Sequence, residues 1–163
     1  MTQASDSPVL DAIRAAFLVR AGLSIIVASR SADFIPSVGR GGACRVGNDR
    51  SHVSIIVPTP GADTLLADLK ASGSIAVVFC EVVTHHTLQL KGEDAVVAPP
   101  GPTDVATFRE ALEARIPLFE TMGYAEAFTR QLYPFDPREL VTVRFTPRSL
   151  FDQTPGPRAG LRL

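Results

Sequence analysis

Short apolar runs, each stopped by glycine, proline or a polar turn, set the strongest limit on how this 163-residue chain can fold. Residues 24–29, 34–38, 43–46, 52–57, 74–80, 86–92 and 140–146 form runs of four to seven residues, which is strand length and too short for a buried helix. Gly47-Asn48-Asp49-Arg50 between two of them is a hairpin turn, and Pro58, Pro60 and Gly61 stop the strand that follows it. In residues 87–91 Leu88 and Leu90 face one side while Thr87, Gln89 and Lys91 face the other. Val141, Val143 and Phe145 form the buried side of the last clear strand, and residues 94–98 read as a continuation of the 86–92 strand past a bulge at Gly92.

Helical spacing is confined to a few places. Val9, Leu10, Ile13 and Phe17 predict an amphipathic helix over residues 8–20, closed by Gly22 and preceded by a frayed, polar segment 1–7. Residues 63–71 predict a short helix stopped by Gly73, and residues 104–122 predict one or two helices, with Pro117 either kinking the run or starting the second. Residues 125–132 add another short helix, and the Pro- and Gly-rich tail after Asp152 reads as loop. Hairpin-linked strands without regular helical crossovers predict a mainly β, small antiparallel barrel with peripheral helices rather than a parallel α/β sheet. The expected organisation is one domain over residues 1–163, with a helical insertion at about 103–132 and a C-terminal strand and tail over 140–163.

Composition narrows the partners. Sixteen basic and seventeen acidic side chains give a formal charge of -1, so no global field favours nucleic acid. An apolar fraction of 45% and a mean hydropathy of +0.17 supply a core with a surplus that suits a subunit interface or a cofactor pocket. Only Lys70 and Lys91 among the basic residues are lysine; arginine suits bidentate grips on phosphate and carboxylate, and a GC-rich genome gives the same bias. The N-terminus lacks a basic-then-hydrophobic signal segment, no apolar run approaches eighteen residues, and Cys44 and Cys80 have no CxxC spacing. These features predict a cytoplasmic protein without a membrane partner.

Few residues announce chemistry. The stretch Gly39-Arg40-Gly41-Gly42 is not GxGxxG, yet it allows close approach to a planar ligand; strand-edge bulging explains it equally. Arg40, Arg45 and Arg50 recur every five residues and either converge on an anion or decorate the surface. His85 and His86 are adjacent and face opposite sides of a strand, so with no HExxH or Cys/His spacing no metal site is expected. No GxSxG elbow is present. Gln153 in Asp152-Gln153-Thr154-Pro155-Gly156-Pro157 can donate and accept toward a ligand's polar edge, or the segment is a terminal turn pinned by its prolines.

The segments GLSIIVASRSADFIPSV, LLADLKASGSIAVVF, THHTLQLKG and FTPRSLFDQTPGPRAG together resemble the flavin-binding split barrel of the pyridoxamine 5'-phosphate oxidase-like superfamily, over residues 17–98 and 140–160. The resemblance implies a split β-barrel, bound FMN (with deazaflavin F420 or haem as alternatives), and a homodimer whose flavin sites are built from both subunits. Carried onto this chain, it implies cofactor contacts from Thr59 before the short helix and from Thr84, His86 and Gln89 on the later strand; Gln153 joins these as a candidate because an ordered tail there can close over the ring edge. The chain departs from that pattern at Pro60-Gly61-Ala62-Asp63, where an Arg-Lys pair is usual, so phosphate binding would fall to Arg40, Arg45 or Arg50. A flavin ring carries hydride or electron transfer itself, so no residue is assigned as catalytic. The implied function is an FMN-dependent oxidoreductase acting on an unidentified small molecule, with a cofactor-free binding or regulatory protein as the alternative.

Overall fold

The computed structural model describes residues 9–163; the expected frayed segment 1–7 lies outside the described residues. Along the chain run α1 (Ala12–Leu18), β1 (Ser24–Arg30), β2 (Pro36–Gly41), β3 (Ala43–Val46), β4 (Val53–Pro58), α2 (Asp63–Ser72), β5 (Ile75–Cys80), β6 (Thr87–Gly92) and β7 (Val96–Ala98). Then follow α3 (Pro102–Thr121), α4 (Glu126–Leu132), a single 3-10 turn at Pro137–Glu139, β8 (Leu140–Phe145), β9 (Ser149–Asp152) and β10 (Leu161–Arg162). Every strand pairing is antiparallel.

The expected closed split β-barrel is not what forms. The fold is a mixed α/β arrangement of two open antiparallel sheets, ordered β10-β9-β6-β5-β1-β2 and β3-β4-β8-β7. Each sheet keeps two edge strands, and among the described residues no ladder joins one sheet to the other. The physical reason lies in α2. It touches β1, β2 and β7, so its side chains stand between strands of the two sheets. Its Leu65, Leu66 and Leu69 enter the same core as Ile25, Val27, Val77, Phe79, Val143 and Phe145. Gly39 lets Leu65 come close, since a Cβ there would lie 2.6 Å from Leu65 Cδ2.

The chain crosses from one sheet to the other at Gly41-Gly42. A Cβ on Gly41 would stand 2.7 Å from Ile25 Cγ2 and 2.8 Å from Ile55 Cγ2, and one on Gly42 would stand 1.8 Å from Phe108 Cε2. These glycines therefore provide space for both sheets and for α3 at a corner. Beyond the corner, α3 and the α4 region cover part of the outer side of the four-stranded sheet. Phe108, Ala111, Leu112, Phe119 and Tyr133 pack there with Ala43, Ile56 and Leu140 as a second, smaller core.

Other expectations shift in detail. The first helix is shorter than its periodicity, and Ile13 is 83% exposed, whereas Leu10, Phe17 and Leu18 are buried. Residues 96–98 pair with β8 in the four-stranded sheet and do not extend β6. Pro117 neither starts a new helix nor ends α3, which continues to Thr121 before Gly123 adopts positive φ. The tail runs as turn and bend through residues 153–160, as expected, but then returns so that Leu161–Arg162 pairs with β9.

Asp104 ties the start of α3 to the four-stranded sheet. It accepts from the Gly101 N–H at 2.9 Å, from the Thr142 hydroxyl at 3.0 Å and from the Arg45 guanidinium. Burial pushes its carboxyl up, but those donors outweigh burial and hold it below its ordinary value of 3.8. A folded-state value below the unfolded one gives stability that is present above about pH 4 and lost as pH falls through the folded value. Asp104→Asn is therefore expected to cost about 1–3 kcal/mol at neutral pH and to flatten the acid limb of a urea stability–pH curve.

Candidate functional site

Alternation along the strands aims one set of side chains at the inner core and leaves the opposite set on the outer face of the six-stranded sheet. Register places Arg40, Ile26, Val78, Gln89 and Phe151 in one lateral row across β2, β1, β5, β6 and β9. Val38, Ala28, Ala76, Lys91 and Ser149 form the next row. Ile26, Ala28, Ala76, Val78 and Phe151 are half-buried and belong to neither core. Val38 on the same face is 60% exposed. The result is an apolar belt across the middle of the sheet, bounded by polar residues.

At one end of the belt stand the polar groups singled out from the THHTLQLKG and DQTPGP segments. Gln153 Nε2 donates to Gln89 Oε1 at 3.1 Å, and its backbone N–H donates to Thr87 O at 2.8 Å. The His86 Nδ1 lies 3.1 Å from Thr154 Oγ1, which also accepts from the Thr87 N–H at 3.0 Å. The edge of Phe17 meets the His86 ring at 4.7 Å. Thr84 donates to the Glu81 carboxylate and accepts from the His86 N–H at 3.2 Å. The Thr84 hydroxyl holds the Glu81 carboxyl below its usual range against its desolvation, with help from Arg20 and His86. The Thr154 backbone N–H does the same for Asp152. His86, Asp152, Thr154 and Arg158 border an open cavity of about 360 Å³ together with Pro155-Gly156-Pro157. Thr84, His86, Gln89 and Gln153 are thus brought together.

The remaining expected cofactor residues lie elsewhere. Arg40 lies over the Tyr133 ring at 5.4 Å, and Arg45 pairs with Asp104. Arg50 sits in the β3–β4 turn with φ of 59°. Thr59 is bound through both its N–H, at 2.8 Å, and its hydroxyl, at 3.3 Å, to Glu139 O.

At the other end of the belt is a cavity of about 430 Å³ bordered by Arg30, Lys91 and Arg148, a group that sequence reasoning did not single out. Lys91 could have been found, because it shares a face with Gln89 in the alternating β6. Arg30 and Arg148 become its neighbours only through sheet order. Among the described residues no group of three or more His, Cys, Asp or Glu is arranged to hold a metal ion, and no helix is long and apolar enough to cross a membrane.

No family model matches the chain, and no curated protein matches it. Solved structures are similar in fold. HupZ from Group A Streptococcus shares 14% identity at a TM-score of 0.54, covering 93% of this chain and 99% of its own. A putative pyridoxamine 5'-phosphate oxidase from Lactobacillus delbrueckii shares 17% identity at a TM-score of 0.52, covering 87% and 93%. An F420 reductase shares 16% identity at a TM-score of 0.51, covering 82% and 92%. Membership of the split-barrel superfamily, implied by the sequence segments, does not stand: the sheets are open and no family model matches. What stands is a distant likeness in fold to these solved structures.

Proposed function

We propose that this chain binds FMN on the outer face of its six-stranded sheet, as one domain within a homodimer, and uses the cofactor to exchange hydride or electrons with a small molecule. The observation that carries this reading is the apolar belt of Ile26, Val78 and Phe151 meeting the Gln89–Gln153 amide pair, all outside both cores. A flat aromatic ring is matched by half-buried apolar side chains, and its polar edge by amides that both donate and accept. The oxidase and reductase names of two structural neighbours support redox chemistry.

When bound, the flavin ring supplies the hydride or electron transfer. The chain's own part is to seat the ring on the belt, fix its edge through Gln89 and Gln153, and keep water from it. One protomer leaves the face open, so a second copy laid over the belt completes the enclosure. Cys44 and Cys80 are free thiols, in keeping with a reducing cytoplasm.

Gln153→Ala and Gln89→Ala are each expected to weaken FMN binding by about ten- to a hundredfold, the loss of one ligand hydrogen bond of about 1–3 kcal/mol. Quenching of flavin fluorescence on titration checks this, with the urea midpoint as the folding control. Parent-like affinity in both variants would remove the amides from the ring edge. A second reading, a cofactor-free binding module, draws on the engagement of Arg45 and Thr59 with protein groups. A colourless purified protein that takes up neither FMN nor a deazaflavin would favour it.

A further inference from the structure

The cavity at the far end of the belt is bordered by three cations, Arg30, Lys91 and Arg148, and by one carboxylate, Glu93. Arg30 ends β1 two residues beyond Ala28 on the same face, and Lys91 lies opposite Ala76 on the neighbouring strand β6. The β1 and β6 backbones flank β5 and stand about 10 Å apart, two strand spacings. Between them the floor is small: Ala28, Ala76, Ser74 and Gly92. Arg148 is brought alongside by its backbone N–H, which donates to Lys91 O at 2.8 Å.

Among the described residues no carboxylate lies within 4.0 Å of any of the three cations. Arg30 is held over the Phe34 ring at 4.3 Å and donates to Ser31 O at 3.3 Å, while the Lys91 ammonium sits 5.1 Å from the Phe151 ring centroid. Such contacts orient a cation without neutralising it. Glu93 is the one acidic residue on the rim; Asp94 nearby accepts from the Thr146 N–H at 2.8 Å, and against burial that bond and the more distant charge of Arg148 hold its carboxyl below the ordinary value. Three like charges around one cavity repel one another, and a bound anion relieves that repulsion.

The donor set selects the kind of anion. A carboxylate offers two oxygens, whereas two guanidiniums, an ammonium and the hydroxyls of Ser74 and Ser149 present more donors than two oxygens can take. A phosphoryl group, with three terminal oxygens and up to two charges, matches them, and arginine grips it bidentately. We propose that Arg30, Lys91 and Arg148 form a binding site for the phosphoryl group of a small molecule. The site stands on its own residues whether or not a flavin occupies the belt, and the phosphoryl group belongs either to FMN itself or to a separate phosphorylated molecule.

The test begins with calorimetric titration of the full chain with inorganic phosphate at low salt. Saturable binding is expected, with a Kd on the order of 1 mM. Lys91→Gln and Arg148→Gln should each weaken it about tenfold, through loss of a charge-assisted hydrogen bond, and Arg30→Gln/Lys91→Gln/Arg148→Gln should abolish it. Salt at about 1 M, where the Debye length falls to about 3 Å, should weaken binding to the parent. All three side chains lie at the surface, so the urea midpoint should be unchanged. No saturable binding to the parent, or equal binding to the triple variant, would overturn the site. FMN and riboflavin then separate the sources. A preference for FMN that disappears in the triple variant assigns the phosphoryl group to the flavin. Loss of phosphate binding without any change in that preference assigns it to a second molecule.

Discussion

Gly42→Ala is expected to destabilise the protein by about 3 kcal/mol, the upper part of the range for overpacking a core. With a urea m-value of about 2 kcal/mol/M, the unfolding midpoint would fall by about 1.5 M. The new Cβ would be 1.8 Å from Phe108 Cε2 and 2.4 Å from Cδ2, and Phe108 is fully buried in the smaller core with Ala111, Leu112 and Tyr133. The ring has no open side to turn toward, so α3 must lift from the β2–β3 corner. Phe108→Leu placed on top of Gly42→Ala should recover part of the loss, since it removes the ring edge that the methyl strikes. An unchanged midpoint for Gly42→Ala would mean that α3 does not pack against this corner.

On the proposed dimer with flavin on the belt, Val78→Glu is expected to yield a monomer and to abolish flavin uptake. Val78 is at the centre of the lateral row, between Ile26 on β1 and Gln89 on β6, and belongs to neither core. In an isolated protomer a carboxylate there reaches water, so far-ultraviolet circular dichroism and the urea midpoint should hardly change. In a dimer closed over the belt the same carboxylate is buried without a partner, which costs several kcal/mol. At tenfold per 1.4 kcal/mol, dimer affinity falls by more than about a hundredfold. Sedimentation velocity and flavin absorbance read the two effects separately. A dimer that persists with flavin bound would place the interface and the cofactor elsewhere. A monomer that still takes up flavin would separate the cofactor site from the second copy.

Much of the local structure was legible in the residues. Leu88 and Leu90 of THHTLQLKG are buried while Gln89 is half-buried and Lys91 exposed, as the alternation required. Gly73 ends α2 with φ of 67°, a conformation that favours glycine. The hydrogen bond of Gln153 to Gln89 follows from β9 lying beside β6 in the six-stranded sheet, a neighbourhood that neither segment announces by itself. Regular spacing cannot tell whether the side chains of Arg40, Arg45 and Arg50 converge: Arg40 lies over Tyr133, Arg45 pairs with Asp104, and Arg50 sits in the β3–β4 turn.

The sequence by itself determined the longer strands, the inward faces of β6 and β8 and the stop of α2 at Gly73, because steric preference and side-chain alternation act over a few residues; the short β7, β9 and β10 carry no such signal. Only the tertiary structure decided how those strands combine. Whether a set of strands closes into a barrel depends on what enters between the sheet edges, and here Leu65, Leu66 and Leu69 of α2 do so. The function of Gly42 depends on Phe108, sixty-six positions away, and the cavity of Arg30, Lys91 and Arg148 depends on a sheet order that brings distant strands side by side. Neither kind of contact leaves a local signature, since each is set by the packing of the whole chain and by no pattern within any one segment.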